Sequence, residues 1–343
     1  MKNFEQTPNY KERKNEAFKD VEMKVELTNR CLNGRCKFCS PLFRPAVKEA
    51  KSETFLDLFK KHVKKYLEQG GRKIILTGGG EPLDAPEKLF GALEVINAQK
   101  DKVGIDLDLL TIYSNGVKLL SPISEDESKT FLDKLTELGV KDVNLSISGL
   151  TQEEITRISG EKMGSVDFDT LIPAIRKKGI RVMTRTTLAK GYIDSIDKVA
   201  RFTDKMSGLG VGIIYFSDLF EVPIRNNQTT PGSKKVLDWT DKHRINFLKL
   251  VEDIKHHPDF TFISQSSRHN RQGQTFEFQY KDGTKVLFGN LVIGNEPDDA
   301  ATYCYVKPDG SMDAHNNVRE GGTNRNYTST NELKKYRPER DDL

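Results

Sequence analysis

The run Cys31-Leu-Asn-Gly-Arg-Cys36-Lys-Phe-Cys39 gathers three of the chain's four cysteines into nine residues, directly after the alternating segment Val21–Thr28. Thiolates crowded into one loop favour a shared metal or cluster over disulfides, since pairing two would strand the third. The C-x4-C-x2-C spacing supplies three soft ligands. Structural zinc requires a fourth protein ligand, and the nearest histidine, His62, reads as a solvated member of a lysine-rich helix face. An iron–sulfur cubane held by three cysteines leaves one iron open to a small molecule, which is a catalytic arrangement. Spacing alone leaves both zinc and a cluster open.

Gly78-Gly79-Gly80-Glu81-Pro82 follows the short apolar run Lys73–Thr77. Three glycines permit positive φ and close approach of backbone to a ligand. A tight strand-to-helix turn would use them equally well. Backbone carbonyls beside the Glu81 carboxylate suit a ligand bearing an ammonium group. The run lacks the Gly-Lys-Ser/Thr ending of a phosphate loop and the G-x-G-x-x-G spacing of a dinucleotide fold.

The elements that must carry these stretches follow from the hydrophobic pattern. Strands are expected at Val21–Thr28, Lys73–Thr77, Asp106–Ser114, Asp142–Ser148, Arg181–Leu188 and Gly212–Phe216. Helices are expected over Thr54–Glu68, from about Pro86 to Gln99, from Ser124 (capped with Glu127) to Leu138, over Asp167–Lys178 and over Ile193–Leu209. Five strand–helix steps in succession predict parallel strands with right-handed crossovers. A six-stranded open barrel and a doubly wound sheet both satisfy that rhythm. In either, function gathers at the strands' C-terminal ends. The cysteine loop, Gly78–Pro82, Ser114-Asn115-Gly116 and Ser146 to Gly149 all fall there.

Together these motifs resemble the radical S-adenosylmethionine (radical SAM) superfamily over about residues 21–220. The resemblance rests on the cysteine triplet with Phe38 before its last member, Gly-Gly-Glu-Pro after the second strand, Ser114-Asn115-Gly116, and Asn144-Leu-Ser146-Ile-Ser148-Gly149. It departs in having four residues between the first two cysteines where three are commonest. The resemblance implies a partial (β/α)6 TIM-like barrel and a 4Fe–4S cluster on Cys31, Cys36 and Cys39. S-Adenosylmethionine would chelate the open iron. Gly79, Gly80 and Glu81 would meet its ammonium group, and Ser114, Asn115 and Ser146 its ribose. Arg185 is the candidate for its carboxylate, and Phe38 with the end of the sixth strand would line the adenine. A flavodoxin- or ferredoxin-type donor would supply the electron that yields a 5′-deoxyadenosyl radical.

Domain boundaries are expected as a polar arm over 1–20, a core over 21–220, a C-terminal extension over 221–318 and a polar tail over 319–343. The extension carries a polar connection over Val222–Leu237, a helix over Asp241–Ile254 and a strand over Ala301–Val306. It also carries a hairpin of Phe276–Tyr280 with Lys285–Phe288. Arg268, His269 and Arg271 could meet an anionic substrate group, although a solvated loop explains them as well.

Cys304 is the one cysteine left over, too few for a second cluster of the kind that peptide maturases and the molybdenum-cofactor cyclase carry. It reads as a small hydrophobe or as a hydrogen-atom donor, the latter suiting a radical epimerase or a peptide or RNA modifier. The competing class is a zinc-stabilised, non-catalytic α/β binding protein. A net charge of +4 on 343 residues does not argue for nucleic acid. No apolar run approaches the roughly 20 residues that span a bilayer, and the N-terminus has no apolar signal segment. A small polar substrate and a reducing cytoplasm are therefore expected.

Overall fold

The computed structural model describes residues 18, 21–33, 36–39, 47–123, 128–219, 231–267, 274–290 and 303–315. Six short strands form its centre: β1 (Glu22–Glu26), β2 (Lys73–Thr77), β3 (Leu109–Ser114), β4 (Asp142–Ser146), β5 (Arg181–Thr187) and β6 (Ile213–Ser217). They pair in parallel and in sequence order. The order never reverses, so each right-handed crossover lays its helix on the same face. That distinguishes a partial barrel from the doubly wound sheet that strand–helix rhythm alone allowed.

The crossovers contain α1 (Ser52–Glu68), α2 (Pro86–Val103), α3 (Phe131–Glu137), α4 (Gln152–Ser159), α5 (Glu161–Gly164), α6 (Phe168–Lys177) and α7 (Ile196–Gly208). On α1 the residues Phe55, Phe59, Val63, Tyr66 and Leu67 recur at helical spacing and are buried. Each such side chain contributes about 2 kcal/mol by leaving water. The Tyr66 hydroxyl lies 2.6 Å from the Val21 carbonyl and accepts the Lys73 amide at 3.0 Å, tying the starts of β1 and β2 together.

Alternation within the strands divides the sheet into two chemically different faces. Met23, Val25, Ile74, Leu76, Ile112, Val143, Leu145, Val182, Ile214 and Phe216 are buried in the main hydrophobic core, which lies beneath the helices. The intervening residues form cross-strand rows on the other, concave face. One row pairs Tyr113 with Asn144 and Met183, and the next pairs Ser146 with Arg185 and Tyr215.

The C-terminal part extends the sheet at both edges. Helices α8 (Pro231–His243) and α9 (Phe247–Lys255) precede β7 (Phe260–Ser267), β8 (Gln274–Tyr280) and β9 (Lys285–Gly289). Strand β9 continues the parallel sheet beside β6, while β8 and β7 run antiparallel beyond it. At the other edge β10 (Tyr303–Val306) lies parallel to β1 and is followed by the antiparallel β11 (Met312–His315). Among the described residues no ladder joins β7 to β11, so the barrel is open.

The expected strands, crossover helices and hairpin are present within a few residues, with four differences. Helix α3 begins at Phe131, where Thr130 and Asp133 form a reciprocal cap; Ser124 and Glu127 lie outside the described residues. Helix α8 starts at Pro231, inside the stretch read as a polar connection, and residues 244–246 separate it from α9. Strand β7 and the pair α4–α5 are additions to the expected elements. His62 is buried, its Nε2 3.1 Å from the Gly310 carbonyl, because the turn before β11 folds over the lysine-rich face of α1. The arm over 1–17, the tail over 319–343, and Arg268, His269 and Arg271 lie outside the described residues.

Candidate active site

The cysteine loop leaves the C-terminal end of β1 and is stitched to the glycine run by continued ladder bonds. The Gly80 amide donates to the Thr28 carbonyl at 2.9 Å, and the Glu81 amide to the Arg30 carbonyl at 2.7 Å. A Cβ on Gly80 would stand 1.8 Å from the Arg30 oxygen, so only glycine lets the two backbones cross here. Gly79 is less confined, its nearest neighbour being the flexible Asn29 side chain at 2.9 Å. The close approach expected for these glycines is thus, at Gly80, an approach to the cysteine loop itself.

Beyond the glycines, Glu81 turns inward and caps the short helical turn Pro82–Asp84. Its carboxylate accepts the Ser114 hydroxyl and the Asn115 amide, each at 2.8 Å, and the Leu83 amide at 3.3 Å. Burial pushes the Glu81 carboxyl up to about 7, a rise that these hydrogen bonds oppose and the Asp84 charge reinforces. Asp84, also buried, accepts the Leu32 amide at 2.5 Å and pairs with Lys118 at 2.6 Å. Asp84 and Lys118 escaped the sequence reading. The only signal was position, Asp84 standing two residues after Pro82.

The three loop thiols are free, with Cys31 exposed and Cys36 and Cys39 half-buried. Burial pushes Cys31 up to about 11 and Cys36 up to about 12, and the neighbouring thiols raise both further. Metal-free Cys31 and Cys36 are therefore protonated near neutral pH, and metal uptake must displace those protons. Among the described residues no three His, Cys, Asp or Glu side chains converge on a single ion. Three neighbouring thiols on one loop, each within electrostatic range of the others, are the donor set that a 4Fe–4S cluster with one open iron takes. The donor set fits a 4Fe–4S cluster.

The other expected site residues divide into two groups. Asn115 is half-buried beside Glu81, and Ser146 is exposed at the end of β4 in register with Arg185. Arg185 stacks its guanidinium 4.6 Å from the Tyr215 ring on the concave face. Phe38 packs with Trp239 at 6.5 Å, against a small cluster that includes Tyr192 and Leu219 just past β6. Trp239 in turn stacks on His243 at 4.2 Å, so α8 covers the cysteine loop. Sequence periodicity gave no hint of this aromatic contact.

Two further placements bear on the expected roles. Ser114 is almost wholly buried, donating to Glu81 while accepting the Gly116 amide at 3.0 Å, so its hydroxyl is committed to holding Glu81. Cys304 is paired in register with Met23 and lies in the core beneath the helices. Its thiol faces away from the concave side, and burial pushes it up to about 12. Of the two readings of Cys304, this placement supports the small core hydrophobe over the hydrogen donor.

Comparison with known proteins adds a family. The profile described as "Radical SAM superfamily" matches residues 25–203, just over half of the chain. The chain is 30% identical over 201 residues to a GTP 3′,8-cyclase of Aliarcobacter butzleri, covering 58% of this chain and 56% of that protein. It is 26% identical over 274 residues to molybdenum cofactor biosynthesis protein 1 of Dictyostelium discoideum, covering 80% of this chain and 38% of that protein. It therefore spans between about two fifths and three fifths of these relatives' length. Among solved structures, coproporphyrinogen III oxidase from Escherichia coli aligns over 71% of this chain and 53% of that one, at 11% identity and a TM-score of 0.43.

Proposed function

The chain belongs to the radical SAM superfamily, whose members are enzymes that use a 4Fe–4S cluster and S-adenosylmethionine, and on that premise we propose that it abstracts hydrogen from a small polar substrate. Cys31, Cys36 and Cys39 would hold the cluster. When bound, the cluster and S-adenosylmethionine supply a 5′-deoxyadenosyl radical through one-electron cleavage of the sulfonium. The observation that carries the reading is the joining of the cysteine loop, Glu81 and Asn115 at the C-terminal ends of three adjacent strands by the bonds at Gly80, Glu81 and Asn115.

The chain's own residues then have separable tasks. Glu81, fixed by Ser114 and the Asn115 amide, presents the carbonyls of Gly79 and Gly80 and its own carboxylate to the ammonium group. Ser146 and the Asn115 side-chain NH2 group, whose neighbouring Oδ1 already accepts the Val117 amide at 3.0 Å, are left for the ribose. Arg185, planar and stacked on Tyr215, is the donor for the carboxylate, since its fork suits two oxygens. Phe38, backed by Trp239, walls the adenine side and excludes water. Tyr113, Asn144 and Tyr215 furnish the concave face with hydroxyl and amide groups, and Asn144 Oδ1 is buried without a partner. That furniture fits a polar metabolite, and the cyclase relatives make a purine nucleotide the first to try.

No described helix is long and apolar enough to cross a membrane. A reducing cytoplasm with a flavodoxin- or ferredoxin-type donor suits the reading.

The test is anaerobic reconstitution with iron and sulfide, followed by S-adenosylmethionine, dithionite and a panel headed by GTP. A brown protein absorbing broadly near ~400 nm and forming 5′-deoxyadenosine is the expected result. A colourless protein that takes up zinc instead would overturn the reading.

A further inference from the structure

The loop carrying the three cysteines does not rest on the strand ends alone. Its other side lies on the break between α4 and α5, where Gly160 at φ 97° ends one helix and begins the next. The Asn33 side-chain amide donates to the Ser159 carbonyl at 3.0 Å, and the Lys37 amide to the Ile158 carbonyl at 2.9 Å. The Cys36 thiol points at the same Ser159 carbonyl at 3.9 Å. A Cβ on Gly160 would come within 3.3 Å of the Asn33 oxygen, in a backbone region where side chains are strained in any case. From α5, Lys162 reaches back and donates to the Leu32 carbonyl at 2.7 Å, one residue from Cys31.

The charges around this platform are unbalanced. Two carboxylates stand beside the loop: Asp84 accepts the Leu32 amide at 2.5 Å, and Glu81 is joined through its own amide to the Arg30 carbonyl at 2.7 Å. The Ile158 and Ser159 carbonyls belong to the C-terminal end of α4, the negative end of a helix dipole. Asp84 is offset by Lys118. Lys162 makes no ion pair among the described residues, and its ammonium is held on the loop backbone. A site of three thiolates gains negative charge when it accepts an electron. A cation fixed beside it therefore favours the reduced state, less strongly for being at the surface.

We propose that Lys162 is a positioning residue of the iron–sulfur site, tethering the Cys31 end of the lengthened loop and raising the cluster's reduction potential. The proposal rests on the cluster reading above. It also gives the four-residue spacing a physical partner: the carbonyl and side chain of the residues after Cys31 are received by α4 and α5 rather than by solvent.

The experiment compares wild type, Lys162→Gln and Lys162→Arg after anaerobic reconstitution, without S-adenosylmethionine. Iron and sulfide content is measured first, and the potential is then read by an electron-spin-resonance redox titration. Equal loading is expected in all three, with a more negative potential in Lys162→Gln and a return toward wild type in Lys162→Arg. A wild-type potential in fully loaded Lys162→Gln overturns the proposal and leaves the function standing. Loss of loading in Lys162→Gln overturns the expectation of equal loading and, with it, the assignment of the lysine to the cluster's potential. Failure of the wild type to take up iron and sulfide overturns instead the function on which the proposal rests.

Discussion

Glu81 and Ser114 share a buried hydrogen bond of 2.8 Å that links the ends of β2 and β3. The hydroxyl donates to a carboxyl whose pKa burial has lifted from 4.5 to about 7. Between those values the folded chain keeps a proton that the unfolded chain releases. Stability is therefore greatest below the lower value and falls as pH climbs toward the upper one. The loss is on the order of 3 kcal/mol at most. Metal-free protein should melt at a lower temperature at about pH 7.5 than at about pH 5, and Glu81→Gln should flatten that difference. A melting curve with the same pH slope in both proteins would remove Glu81 as its source.

Gly79 and Gly80 are adjacent yet unequal. Alanine at Gly80 must displace the Arg30 carbonyl, which sits 1.8 Å from the new Cβ, whereas alanine at Gly79 meets only the movable Asn29 side chain. Iron bound per chain after reconstitution should fall severalfold in Gly80→Ala and stay near wild type in Gly79→Ala. Equal loading in the two variants would contradict the crossing of the loops.

Arg185 faces the concave side with its guanidinium against Tyr215. Substitution with lysine keeps the charge but loses the fork. Binding of S-adenosylmethionine to cluster-loaded protein should weaken by about tenfold, equivalent to about 1.4 kcal/mol, with little change in melting temperature. Isothermal titration separates this from a stability effect.

Trp239 is the chain's single tryptophan and packs against Phe38, next to Cys39. Its fluorescence should drop when the cluster assembles and recover on chelation, and Trp239→Phe should remove the signal altogether. A tryptophan signal unchanged by reconstitution would mean that α8 does not cover the loop in solution.

Much of the site was legible because its groups are local in sequence. Cys31, Cys36, Cys39, Glu81 and Asn115 fall at predicted strand ends, and parallel strands bring those ends together. What escaped depends on contacts between distant segments. The platform joins Asn33 to Ser159 across more than a hundred residues, and α8 returns from beyond β6 to reach Phe38. No periodicity encodes such meetings. Cys304 kept two readings open for a different reason: isolation in sequence suggests chemistry, whereas strand alternation places it in register with Met23 in the core. Ser114 lies in the expected neighbourhood with its hydroxyl turned to Glu81, because a hydroxyl beside a buried carboxylate is claimed by it.

The parity of the strands has a consequence for descent. Val143, Leu145, Val182, Ile214 and Phe216 answer to the helices, while Asn144, Ser146, Arg185 and Tyr215 answer to whatever the hollow holds. Selection can rewrite one set without consulting the other. A lineage built on such a sheet can exchange substrates by changing every second residue and inherit its fold intact.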